Sequence, residues 1–258
     1  MKNISVLAFI SYLFYVLVLS SCAVRAPNPM TAPSSSAESE RPGLATQWGE
    51  TRTSRVKNTH FNRANHTPTA LTTLYYNNRE GITTMLGISR YQPGLPTWLQ
   101  VNPYNFVSIG IRGERGQFLE NFTVDGKKYV IGENGHRYSI LVRNNTNTRL
   151  ETVLSVDGLD VLDGKPASVT KPGYVIAPYA TLTVDGFRQN MEAVAAFRFG
   201  TMADSYTEQK YGDTTNAGVI GVAIFHELGS QPFSQWTNHE VQKRHAADPF
   251  PERFATPP

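Results

Sequence analysis

Between about residues 105 and 227 the chain alternates apolar and polar positions in short runs: Phe106–Ile111, Lys128–Ile131, Tyr138–Arg143, Leu150–Val156, Tyr174–Ala177, Thr181–Val184, Ala193–Phe199 and Val219–Phe225. A strand repeats every two residues, so Tyr138, Ile140 and Val142 share one face of their run. Turn pairs separate the runs, among them Asp125-Gly126, Asn134-Gly135, Asp157-Gly158, Asp163-Gly164, Pro172-Gly173 and Asp185-Gly186. Many short strands with Gly turns predict a mainly β chain, an antiparallel β-sandwich or barrel, and of the two the sandwich is the expectation carried forward. Helix is scarce: Asp204–Tyr211 and Gln235–Ala247 are the two candidates.

Before residue 105 the pattern is weaker. Ala70–Tyr76 and Ile82–Ile88, rich in Thr and aromatic residues, read as strands around an Asn77-Asn78-Arg79-Glu80-Gly81 turn. Residues 49–104 are therefore expected to form an N-terminal extension on a sandwich spanning 105–228, with 229–258 a C-terminal tail. Residues 26–43 are rich in Pro, Ser and Ala, with almost no large apolar side chains. Such a stretch cannot bury enough surface to offset its ordering entropy. Residues 22–48 accordingly read as a flexible tether, about 25 residues reaching roughly 25–30 Å.

The first residues have a different logic. Lys2 precedes an apolar run from Ile4 to Leu19, which ends in the small residues Ser20-Ser21-Cys22. A basic start, a short apolar middle and a small-residue end are the parts of an export signal over 1–21. The run is shorter than the roughly 20 apolar residues of a membrane span. Leu19-Ser20-Ser21-Cys22 resembles the lipobox of bacterial lipoproteins, and the resemblance implies that the signal is cut before Cys22 and that lipid joins its sulfur. Cys22 is also the single cysteine of the chain. Exported domains spend cysteines in pairs, so an attachment point explains it better than a stray thiol. By the same resemblance Ala23, which is not Asp, favours the outer membrane.

Composition narrows the classes further. The net charge is +3, and removing residues 1–21 takes only Lys2 among the charged residues. The balance is close to neutral and no basic run forms a nucleic-acid footprint, so no nucleic-acid partner is expected. Tyrosine and phenylalanine, 12 and 13 in number, supply a core without disulfides.

Arg143-Asn144-Asn145-Thr146, the run Ser155–Val161, Gly173–Ile176, Asp185-Gly186-Phe187-Arg188, Ala195–Phe199 and Gly218–Ala223 together make Phe106–Glu227 resemble a domain of uncharacterised bacterial proteins. The resemblance implies domain limits and no activity.

Candidate chemistry is sparse. Asp157, Asp160 and Asp163 gather carboxylates around two glycines as weak metal-ligand candidates, but the spacing departs from a calcium loop, and Asx turns are the plainer reading. His226-Glu227 starts a His-Glu-x-x-His motif that position 230, a Ser, does not complete. His239 and His245 read as solvated. No Gly-x-Ser-x-Gly elbow surrounds Ser205 or any other serine. Asn121 and Asn144 begin glycosylation patterns without meaning in a bacterium. Arg188 and Arg198 could present guanidinium groups to a carboxylate, phosphate or sugar, although the solvated face of a sheet is the commoner place for them. The expected function is thus a non-enzymatic envelope lipoprotein, anchored through Cys22 and contacting another envelope protein, without cofactor. A carbohydrate- or ligand-binding lipoprotein and an envelope enzyme are the alternatives.

Overall fold

A computed structural model describes residues 41–87, 90–91, 94–101, 105–230 and 238–248. The expected export signal, Cys22 and most of the expected tether lie outside these residues. The remainder is mainly β, two sheets packed face to face with three short helices. The first sheet runs β1 (Ala45–Thr53), β13 (Ala193–Gly200), β7 (Arg137–Asn144), β4 (Val107–Gly113), β3 (Leu99–Gln100). The second runs β10 (Tyr174–Ile176), β8 (Leu150–Val156), β14 (Val219–His226), β2 (Ala70–Asn77), β6 (Lys127–Ile131), β5 (Asn121–Val124). Short β9 (Leu159–Asp160) pairs with β8, β11 (Thr181–Val184) with β7, and β12 (Gly186–Arg188) with β13. Every strand pairing is antiparallel except β2 with β6.

The alternation read from the sequence decides which side chains meet between the sheets. Tyr138, Ile140 and Val142 of β7 enter the core beside Ile109 and Ile111 of β4, facing Leu154 and Val156 of β8 and Ile220, Val222 and Ile224 of β14. Asp125-Gly126 and Asp157-Gly158 have positive φ at both residues, the geometry of a two-residue hairpin turn whose twist matches the strands it joins. At Gly186 a Cβ would lie 1.8 Å from the Ala195 carbonyl oxygen, so only glycine lets β12 approach β13.

The stretch before residue 105 differs from expectation. Residues 45–48, assigned to the tether, begin β1, which pairs along β13 from Ala45–Gly200 to Thr53–Ala193. β2 lies inside the second sheet, between β14 and β6. The 49–104 region thus supplies strands to both sheets and does not sit as an extension on a finished sandwich. Ile82–Ile88, read as a strand, is instead helix α1 (Arg79–Leu86) as far as it is described. Asn78 caps it, accepting the Gly81 N–H at 2.7 Å, so the supposed turn is a helix start. Helices α2 (Tyr206–Tyr211) and α3 (Asn238–His245) fall within the two helical runs expected.

Part of the outer face of the second sheet is covered by the chain between β1 and β2. Arg63 stacks 3.7 Å above the Phe225 ring and pairs with Glu151 at 2.5 Å. It also donates to the carbonyls of Val169 and Lys171. Glu151 accepts the Gly173 N–H at 2.7 Å, which completes the anchoring of this buried carboxylate. Such a clamp explains why β8 is buried on both faces.

Candidate functional site

The open ends of the two sheets create the first candidate surface. β3 ends one sheet and β5 ends the other, and a groove of about 580 Å³ runs between them, lined by Leu95, Trp98, Leu99, Val101, Phe122 and Lys128 among others. The outer edge of β5 carries one bridge, Leu95 to Asn121, made possible by Gly94, where a Cβ would meet the Asn121 carbonyl oxygen at 2.1 Å. Two of the lining residues are aromatic and are held by rings behind them: Phe122 stacks on Tyr129 at 5.8 Å and meets Tyr91 edge-on, while Trp98 meets Phe118 edge-on at 5.2 Å. Leu95 is 77% exposed at its mouth. Asn121 is buried; its amide donates to the carbonyls of Thr97 and Leu119, and its Oδ1 has no partner among the described residues. Burial lowers the Lys128 pKa. Glu120 ties the rim, pairing with Arg79 at 2.6 Å and accepting from Tyr91 at 3.0 Å, and the Arg79 bond holds its pKa down.

A second concave surface lies on the outer face of the first sheet. β13 and β7 pair only at Phe197–Tyr138 and Arg198–Arg137, then part, and β11 and β12 fill the fork with Asp185 between them. The fork leaves a cavity of about 190 Å³ lined by Arg52, Arg112, Glu114, Arg137, Ser139 and Asp185, with backbone of neighbouring glycines. Glu50 bridges Arg137 at 3.1 Å and Arg198 at 2.8 Å, and Glu114 lies 3.6 Å from Arg137. Ser139 donates to Asp185 Oδ1 at 2.6 Å.

Between the sheets lies a buried polar network. Asp157 accepts from the Thr46 N–H at 2.7 Å, the Gly218 N–H at 2.8 Å and the Tyr76 hydroxyl at 2.6 Å. Thr46 Oγ1 is 2.7 Å from both the Tyr76 and Tyr138 hydroxyls. Because Tyr76 gives its proton to Asp157, Thr46 donates to Tyr76 and Tyr138 donates to Thr46, so every dipole points at the carboxylate. Burial pushes Asp157 up to about 6, the three donors opposing it. Burial and the nearby carboxylate raise both tyrosines well above their ordinary value.

The residues singled out from sequence fare differently. Asp157, Asp160 and Asp163 do not converge. Asp157 faces the network, Asp160 accepts the Leu162 N–H at 2.8 Å, and Asp163 accepts the Lys165 N–H while pairing with Lys171 at 2.9 Å. Burial raises Asp160, whose Oδ2 is buried without a partner among the described residues. Among the described residues no group of three His, Cys, Asp or Glu side chains is disposed to hold a metal. His226 bonds Thr69 at 2.7 Å, and Glu227 takes Arg149. His239 and His245 lie on α3, the latter exposed. Ser205 is the buried N-cap of α2 and donates to the Met202 carbonyl. Arg188 is consumed by Tyr174, Ser54 and Asn190, whereas Arg198 stands at the margin of the arginine cleft. Asn144 is fully buried, its amide donating to the carbonyls of Thr148, Ile176 and Ala177. The sequence reading missed Arg52, Arg112 and Arg137: they come from three strands far apart in the chain, and no local motif marks them. Comparison with family models, curated proteins and solved structures finds no match for the chain.

Proposed function

We propose that the protein is a non-enzymatic module of a bacterial cell envelope, tethered to the outer membrane by lipid on Cys22, that contacts another envelope protein at the groove between β3 and β5. One observation carries the contact surface: an apolar groove lies where both sheets end, with Leu95 77% exposed at its mouth. Open strand edges invite a partner strand, and exposed apolar grooves mark interaction surfaces. An extended segment laid along β5 beyond the Leu95–Asn121 bridge would pair with its outer backbone and seat alternate apolar side chains on Trp98, Leu99 and Phe122. The address rests on the export signal and on the lipobox-like residues before Cys22.

Two measurements test the reading. A photo-crosslinking residue at Leu95 in cells should give a discrete heavier species that the same residue at exposed Met191 does not give. Equal products from both positions, or none from Leu95, would refute the contact surface. Cys22→Ala should abolish fatty-acid labelling and release the protein from membranes; retained labelling would refute the anchor.

A further inference from the structure

We infer that the arginine cleft on the outer face of the first sheet binds a small monocarboxylate carrying a hydrogen-bond donor on the carbon next to its carboxyl group, as hydroxy and amino acids do. The inference is independent of the groove at the sheet ends, since the two surfaces share no lining residue.

The charge arrangement is the first ground. Arg137 and Arg198 are cross-strand partners in register, so two guanidinium groups stand directly opposite each other. Like charges so placed destabilise a sheet. Glu50 and Glu114 answer these two arginines. Arg52 and Arg112, arriving from β1 and β4, have no ion-pair partner among the described residues, yet both line the cavity. Register explains the convergence: Arg112 lies opposite Ser139, and Arg52 opposite Val194, so both project on the outer face with Arg137 and Arg198. Three guanidiniums and two carboxylates around one small cavity sum to a single positive charge, which a hydroxy-acid anion matches and a phosphate dianion overshoots, while an amino acid, neutral overall, meets it by setting its own ammonium group against Asp185.

Geometry supplies the second ground. A guanidinium presents its donors in a planar fork that fits a carboxylate, and two unengaged forks on one cavity can share its two oxygens. Asp185 supplies the opposite pole. Its Oδ1 is occupied by Ser139, while Oδ2 carries no bond among the described residues and can accept from a hydroxyl or ammonium group. The volume of about 190 Å³ is below the range of drug-sized pockets and suits a ligand of a few carbons. Asp185 is fixed by the backbone as well, because its carbonyl accepts the Phe197 N–H at 3.0 Å where the strands fork. The acceptor is thereby held before any ligand arrives, which limits the ordering cost of binding.

The test is titration of the purified full chain with lactate, alanine, propionate and inorganic phosphate, followed by amide NMR. Lactate or alanine should shift Arg112, Ser139 and Asp185, and propionate, which lacks the donor, should bind at least about tenfold more weakly. Arg52→Gln and Arg112→Gln should each weaken the preferred probe by about tenfold or more with the thermal midpoint unchanged, since both side chains lie off the core. Asp185→Asn should erase the preference over propionate while keeping an acceptor for Ser139. The inference is overturned if neither lactate nor alanine binds by roughly 10 mM, if phosphate binds most tightly, if the shifts fall outside the cleft, or if the arginine variants bind like the wild type.

Discussion

Replacing Asp157 by Asn tests the buried network through the pH dependence of stability. The carboxyl rises from its ordinary 3.8 to about 6 in the folded protein because it is buried between the sheets. A displacement of that size corresponds to roughly 3 kcal/mol. The sign follows from which state holds the proton more firmly. Between about pH 4 and pH 6 the folded protein binds more protons at this site than the unfolded chain, so stability falls as pH rises across that window. The contribution is whole below about pH 4 and lost once the pH has passed about 6. Asn cannot titrate, and its amide nitrogen must face at least one of the three donors that Asp157 satisfies, from Thr46, Gly218 and Tyr76. One donor left unpaired in the interior costs about 1–3 kcal/mol. The variant should therefore be clearly less stable than wild type near pH 4, and the gap should narrow by about 3 kcal/mol towards pH 8. Urea unfolding followed by tryptophan fluorescence at each pH measures both curves. Every other titrating group is common to the two proteins and cancels in their difference. A gap that stays constant from pH 4 to pH 8 would refute the burial argument.

Three further substitutions probe the fold. Gly186→Ala should cost more than about 3 kcal/mol or prevent folding, seen as loss of the near-ultraviolet dichroism, because the added methyl collides with the Ala195 carbonyl oxygen. Asn144→Ala should destabilise by about 2–4 kcal/mol in urea titrations, since it strips the donor from three carbonyls and the acceptor from the Thr146 N–H. Ser205→Ala should remove about 1 kcal/mol, a fall in thermal midpoint of a few degrees, through loss of the α2 cap.

Most of the sandwich was legible because its central strands obey the two-residue period and two of its hairpins announce themselves as Asp125-Gly126 and Asp157-Gly158, whereas Asp185-Gly186, read as a turn, only joins β11 to β12. β1 was not legible. It is an edge strand whose buried residues near its start are the small Ala45 and Thr46, and most of the rest of it, through Arg52 and Thr53, is exposed, so it shows no apolar stripe. The α1 error has another cause. Ile82, Thr83 and Thr84 carry β-branched side chains that suggest a strand, but Asn78 provides a cap, and Ile82 and Leu86, one helical turn apart, pack on the Tyr129–Ile131 cluster. Local propensity yielded to capping and to one buried face. The arginine cleft depends on strand register and on a fork between β13 and β7, neither of which any window of sequence contains. Asp157 illustrates the same limit: the backbone turn is legible from Asp-Gly, but the Asx turn expected of its side chain does not form, because the buried carboxylate is taken by Thr46, Tyr76 and Gly218 from other parts of the chain.

The position of β14 sets the order in which the molecule can be assembled. It is the last strand among the described residues, yet it sits inside the second sheet, paired on one side with β8 and on the other with β2. Until residues 219–226 are available, β8 and β2 each face an unfilled gap, and β1 must likewise wait for β13 to pair. No N-terminal fragment ending before Val219 contains a complete second sheet, so synthesis can supply the parts in sequence but closure comes only at the end. Pairings that join such distant residues make folding slow relative to helical proteins of the same size. A stop codon just before Val219 would consequently be as damaging as one in the middle.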